Sequence, residues 1–399
     1  SKLLSSQQVQ AEADRVWCGV ERCLFGNGKE LHFKKLMDFD TIGGKSNKNG
    51  ARFDLDAMYV NWLGLSLKCY LPKSENSLSY VWESLKGKIS YCNIKRLMFS
   101  SGWRYYAEIV VSGAAPTRVS IGTSTMGIDP GVSTIAGVSE DACVLEELAP
   151  NAIQYEKKIQ KISQRMDRSR RSSNPNKYNE DGTINRSNRD PWKYSKNYVK
   201  MCRLLKSLYR KKHAYIVDSH RELCNKLITI AKYFPVEKMH FQALQKKAKE
   251  TRRQEKKTEV KQKDGTVKVI QKYKRKRRFG RSINHRAPAR FLLELKRKAE
   301  AVGGVYAEVD TKKFKASQYN HVTDAYEKIP LSQREKEIGN RKVQRDLYSA
   351  FLIRNADLDF KHPDREKCEY EFEYFADMQE QLILKMKESG LSMRQCFGF

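Results

Sequence analysis

Acidic residues are in short supply: 47 Asp plus Glu face 77 Lys plus Arg, a formal net charge of +30. A surplus of that size calls for a polyanionic partner. No continuous apolar run approaches the ~18 residues needed to cross a bilayer, and no signal-peptide pattern is present. Nucleic acid rather than a membrane is therefore the expected polyanion, and a bacterial cytoplasm or nucleoid the expected setting. None of the nine cysteines forms a C-x-x-C pair. That excludes a four-cysteine zinc site and a close-spaced disulfide framework, and leaves reduced, mostly buried thiols. No internal repeat is found. The chain opens "SKLLSSQQ" without Met, so an incomplete N-terminus is expected.

Two strand-like runs, "AMYVNWLGLSLKCYL" and "IKRLMFSSGWRYYAEIVVSG", occupy the first 122 residues, the second broken by Ser-Gly at a hairpin position. From Met126 the pattern becomes short apolar strands: "MGIDP", "STIAGVS", "ACVLEEL". Residues 157–212 carry 18 basic and 4 acidic residues in two helical pieces around an Asn-rich loop, with helical spacing predicted to about residue 232. "FPVEKMHFQAL" reads as a short strand. Residues 246–286 again hold 18 basic and 4 acidic residues, a composition expected to stay mobile until a ligand orders it. Amphipathic helices follow at "PARFLLELKRKAEAVG", "VQRDLYSAFLIRNA" and "EKCEYEFEYFADMQEQLILKMKESG", with a strand at "GVYAEVD".

Asp129 sits inside the apolar stretch "MGIDPGVSTIAGVS". A carboxylate there costs several kcal/mol in desolvation unless a cation or hydrogen bonds compensate it. The alternative is a simple Asp-Pro-Gly turn, with Asp129 accepting backbone hydrogen bonds and Gly131 supplying backbone freedom.

The order of segments (a "GIDPGVSTIAGVS" strand pair, a helical insert, a strand near residue 240 and an acid on a late helix) resembles the ribonuclease H-like nuclease domain of the RuvC type. With "GWRYYAEIVVSG" before the first motif and "VDTKKFKASQ" ahead of the third, it resembles more narrowly the transposon-encoded TnpB proteins and the type V CRISPR effectors. The likeness spans about residues 90–355. It implies an α/β fold: a ribonuclease H-like mixed sheet with helical inserts, preceded by a β-barrel-like wedge module. The implied divisions are 1–122 (recognition and wedge), 123–310 (nuclease, with a basic insert at 151–232 and a basic loop at 246–286), 311–342 (a cysteine-free target-binding module), 343–355 (third motif) and 356–399 (helical tail).

The activity implied is RNA-guided DNA endonuclease: a hydrolase that binds a guide RNA and target double-stranded DNA, and cuts with a single two-Mg²⁺ site. The resemblance assigns Asp129 to the first motif, Asp346 to the third and position 242 to the second, where Gln242 stands in place of Glu. Asp129 and Asp346 would hold metal, and Gln242 would weaken one ion and impair cleavage. Gln242 then has two explanations: a naturally nuclease-dead, RNA-guided DNA-binding repressor, or a cleaving parent altered to trap a bound complex. Glu237, five residues upstream, is expected about 16 Å away from position 242 and on the opposite strand face. The relatives' two C-x-x-C pairs have no counterpart here, so no zinc is expected, and His321 and Asp324 are assigned structural or surface roles. The relatives' "R-D-x-N-A-A" becomes "RDLYSA", which leaves the usual Asn contact in question.

For nucleic-acid contact the candidates are Arg165, Arg168, Arg170 and Arg171 in the first basic run, and Arg275, Lys276, Arg277, Arg278 and Arg281 in the second. Trp192, Tyr194, Tyr198 and Tyr273 could stack on bases or pack helices. An actin-like or sugar-kinase-like ATPase also opens with Gly-Ile-Asp-x-Gly. It requires a second phosphate-gripping glycine turn, where only the isolated pair Gly303–Gly304 is found.

Overall fold

The computed structural model describes residues 6–26, 28–33, 39–116, 119–180, 182–245, 253–261, 265–273, 279–330 and 332–397. It is a mixed α/β chain of two compact units: residues 1–118 with 158–211, and residues 119–157 with 212–399. Much of the helical insert therefore groups with the N-terminal unit, not with the expected nuclease segment.

The N-terminal unit begins with α1 (Ser6–Leu24), followed by β1 (Thr41–Gly43), β2 (Arg52–Asp54), β3 (Tyr59–Trp62), β4 (Leu65–Lys68), α2 (Glu75–Leu85), β5 (Lys88–Phe99) and β6 (Gly102–Ser112). Its strands form two three-stranded antiparallel sheets, β1-β5-β6 and β2-β3-β4, where one barrel-like module was expected. The turn between β3 and β4 is Leu63-Gly64, both at positive φ, which matches the right-handed twist of a two-residue hairpin. Phe53, Val60, Leu85, Cys92 and Ile94 form the core.

The second unit opens with β7 (Ser124–Thr125), β8 (Gly127–Pro130), β9 (Thr134–Val138) and β10 (Cys143–Glu147). Helices α3 (Ala152–Ser173) and α4 (Lys196–Ile230) each contribute residues to both units, and β11 (Ala231–Glu237) starts where α4 stops. The strand therefore begins earlier than expected and ends at Glu237, and "FQALQ" is a helical turn, α5 (Phe241–Gln245). In the second basic run the described residues form a hairpin, β12 (Arg253–Lys261) with β13 (Val267–Tyr273), and α6 (Gly280–Arg286). After these come α7 (Pro288–Ala301), β14 (Val305–Val309), α8 (Thr311–Phe314), β15 (Tyr319–Asn320), β16 (Ala325–Tyr326), β17 (Glu335–Ile338), β18 (Arg341–Gln344), α9 (Arg345–Arg354), α10 (Arg365–Glu388) and α11 (Met393–Phe397).

The main sheet runs β10-β9-β8-β11-β14, with β7 alongside β11. β8, β9 and β10 form an antiparallel meander, and β11 pairs in parallel with both β8 and β14. Strand alternation sorts side chains onto two faces. Ile128, Ile135, Val144 and Val236 enter a core shared with Leu227 of α4 and Phe291 of α7. Ala136, Val138 and Leu145 point the other way, into a core built by α9 and α10 around Leu347, Phe351, Phe372 and Phe375. Every residue of α9 but Asp346 is buried, so the helix is enclosed almost all round.

Candidate active site

Asp129 is the third residue of β8, and Ile128 before it faces the α4–α7 core. Asp129 therefore faces α9, with Ala136 as its cross-strand partner. On the neighbouring strand Val236 is in register with Ile128. One residue further along both parallel strands, Glu237 comes beside Asp129 on the same face. The third carboxylate, Asp346, lies in the first turn of α9, where a negative charge complements the helix dipole.

Gly127 is what lets α9 come this close. A Cβ at this position would run into the Ala350 carbonyl and the Arg354 amide of α9. Gly131 has a related role, since its N–H donates to the Thr134 carbonyl at 2.9 Å and that oxygen would crowd a side chain. Its φ is not in the left-handed region, so close approach and not backbone freedom accounts for the glycine.

The electrostatics confirm that the three acids are neighbours. Burial pushes the Asp129 carboxyl well above the usual carboxylate range; the charges of Glu237 and Asp346 add to this, and Arg345 opposes it. Glu237 is also raised, chiefly by burial and further by Asp346, while hydrogen bonds from Asp129 and Thr311 hold it down. The two carboxyls are hydrogen-bonded to each other, and both are pushed upward. Asp346 is held by two guanidinium groups, Arg334 at 3.5 Å and Arg345 at 3.5 Å, and by the Gln344 amide at 3.5 Å. Gln344 also caps α9, accepting from the Leu347 N–H.

Gln242 does not belong to this group. It lies exposed on α5, beyond the end of the strand, and among the described residues no hydrogen bond joins it to Asp129 or Asp346. The acid beside Asp129 is Glu237, and the expectation that it lies on the strand face away from the site is overturned by the strand register. The signal available in the sequence was that the apolar run "AKYFPVE" itself ends in an acid.

The donor set suits a hard divalent ion: three carboxylates, oxygen ligands only, with negative charge in excess at two of them. Among the described residues no three His, Cys, Asp or Glu side chains stand close enough together to form a ready-made metal site.

Of the candidate nucleic-acid contacts, Arg165 and Arg168 are exposed on α3. Arg170 and Arg171 both bind Asp167 at 2.8 Å, and Arg171 also donates to the Gly182 carbonyl, so they help close the loop between α3 and α4. Trp192 packs within that loop against Tyr178, Arg170 and Lys177 and is partly buried. Tyr194 and Tyr198 stack on each other. Arg281 is exposed at the start of α6, whereas Arg275, Lys276, Arg277 and Arg278 lie outside the described residues. A basic and aromatic cluster not anticipated from sequence sits near the tip of the β5–β6 hairpin. There Arg96 and Lys206 cover Trp103, and Arg104 and Arg210 cover Phe99.

His321 is buried and its Nδ1 lies 2.8 Å from the Tyr348 hydroxyl; Asp324 accepts from the Tyr319 hydroxyl at 2.8 Å. Both are structural.

No protein-family profile and no curated protein matches the chain. Among solved structures it is similar to a Cas12f1–sgRNA–target DNA complex, at 13% identity and a TM-score of 0.42 over 71% of this chain and 48% of that one. It is also similar to a CRISPR–Cas12f ternary complex, at 14% identity and a TM-score of 0.34 over 73% of this chain and 49% of that one. The chain thus spans about half the length of each of these structural neighbours.

Proposed function

We propose that the chain is an RNA-guided DNA endonuclease of the TnpB and type V CRISPR kind, with a ribonuclease H-like (RuvC) site formed by Asp129, Glu237 and Asp346. One observation carries this reading: strand register and the close approach at Gly127 bring three carboxylates from distant parts of the chain onto one face of the sheet. A meander forming one edge of the sheet, with parallel strands added beside its first strand, is the order that a ribonuclease H-like sheet requires.

Bound Mg²⁺ would supply an activated water and charge neutralisation at the leaving oxygen. Asp129, between the other two acids, is suited to hold it, with Glu237 and Asp346 flanking. Arg334 and Arg345 orient Asp346 and offset the crowded negative charge. Thr311 supports Glu237 from the start of α8, just past the adjacent strand β14.

The +30 charge suits guide and target phosphates, whose neutralisation makes binding tight and salt-dependent. The repressor alternative rested on Gln242, which lies outside the carboxylate group, so a cutting enzyme is the reading supported here. The test is to sequence the RNA that copurifies with the chain and assay DNA matching its guide for Mg²⁺-dependent cleavage. Cutting of the matched duplex alone is expected; intact DNA with guide-dependent binding would restore the repressor reading.

A further inference from the structure

Beside Asp346 the structure contains a cavity of about 570 Å³, lined in part by Gln318, Asn320, Gln333, Arg334 and Lys336. That volume falls within the range of small-molecule sites. Arg334 connects the two places, since it lines the cavity and its Nη1 reaches Asp346.

Lys336 is the unusual wall residue. It is 7% exposed, and among the described residues no carboxylate lies within ion-pair distance of its ammonium, which sits 5.5 Å from the centre of the Tyr348 ring. Burial lowers its pKa to about 8, Arg345 adding to the effect and Glu327 opposing it. An ammonium on a mostly buried side chain, with an aromatic face and no carboxylate beside it, is ready for an anion. Three acids also line the cavity. Strand alternation turns Glu335 and Glu337 to the solvent face of β17, opposite Lys336, and Glu327 is exposed. The remaining polar wall is the exposed Lys342, a second cation, with Ser332 and the Gln318, Asn320 and Gln333 amides, which can donate and accept as a nucleobase edge demands.

We propose that this cavity binds a nucleotide, its phosphate on the Lys336 ammonium and its base among the three amides. The choice of a nucleotide rests on the nuclease reading; the cavity and its lysine do not.

The test uses the full-length chain in EDTA, titrated calorimetrically with deoxyadenosine 5′-monophosphate, deoxyadenosine and inorganic phosphate. The monophosphate should bind at about 1 mM or tighter, and both fragments at least about tenfold more weakly, since each lacks half the contacts. Lys336→Met should cost at least about tenfold in monophosphate affinity and Lys336→Arg much less. Ser332→Asp adds a negative charge at an exposed wall position and should cause the same loss, which guards against misfolding of the lysine variant. Equal binding of nucleoside and nucleotide, or unchanged affinity in both Lys336→Met and Ser332→Asp, would overturn the proposal. A 5′-phosphorylated trinucleotide that binds tighter than the mononucleotide assigns the site to a strand end, and equal binding assigns it to free nucleotide. Guide-directed cleavage without nucleotide binding sinks the cavity alone; nucleotide binding without cleavage supports the cavity and sinks the nuclease reading.

Discussion

Replacing Glu237 by Gln separates the two candidate second acids, because the change keeps the side chain's shape and removes its charge. Charge stabilisation by a correctly held metal is worth several kcal/mol. A loss of even 3–4 kcal/mol corresponds to roughly 10²–10³-fold in rate. Stability should move the opposite way. In the metal-free protein Glu237 adds to the negative charge around Asp129 and Asp346, and both Asp129 and Glu237 are pushed up by burial and like charge. An acid whose pKa is raised on folding destabilises the fold once the pH exceeds the ordinary carboxylate range, and progressively so up to its raised value. Glu237→Gln should therefore stabilise the metal-free chain at neutral pH and raise its Tm. Mg²⁺ should raise the wild-type Tm by mass action and the variant's much less. The assays are guide-directed cleavage and thermal unfolding with and without Mg²⁺, with Gln242→Glu in parallel. Full cutting by Glu237→Gln, or a gain of cutting in Gln242→Glu, would refute the assignment of Glu237.

Gly127→Ala should force α9 away from β8, costing about 1–3 kcal/mol by overpacking and abolishing cleavage, as denaturant titration and the same cutting assay would show. Ala287 links α6 to α7 at φ 49°, ψ 55°, so Ala287→Gly should stabilise by up to about 1 kcal/mol in chemical unfolding. His220 and His321 are buried with pKa values lowered to about 4, mainly by desolvation. The unfolded chain then binds more protons between pH 6.5 and 4, so stability should fall as pH drops through that window. Replacing both with Gln should flatten the profile, and an unchanged slope would show that other groups dominate.

Most helices and the meander were legible in the sequence because each follows from local periodicity: "STIAGVS" is buried on both faces, and "PARFLLELKRKAEA" carries its stripe at helical spacing. What the sequence did not reveal depended on contacts between distant segments. Glu237 and Gln242 are equally plausible ends of an apolar run until Val236 is seen in register with Ile128, after which only Glu237 lies beside Asp129. In the same way, nothing in the sequence of the cysteine-free loop singles out Arg334 or Lys336. Pairing of β17 with β18 turns Lys336 inward beneath α9.

Tyr348 shows how that loop module is fastened. It stands two residues after Asp346, where the family resemblance led one to expect Asn, and it is fully buried. Its hydroxyl accepts the His321 N–H at 3.2 Å and lies 2.8 Å from the His321 ring, while Phe351 and Phe372 pack around both rings. The Lys336 ammonium lies 5.5 Å from the centre of the same ring, so one side chain of α9 joins the β15–β16 turn, strand β17 and the Asp346 helix into a single packed group. A histidine that stays neutral in such a cluster bonds to a hydroxyl without introducing a buried charge. The position of Asp346 therefore depends on apolar packing around Tyr348 as much as on its own arginines, and loosening that packing should disturb the site even though none of these aromatic side chains belongs to the carboxylate group.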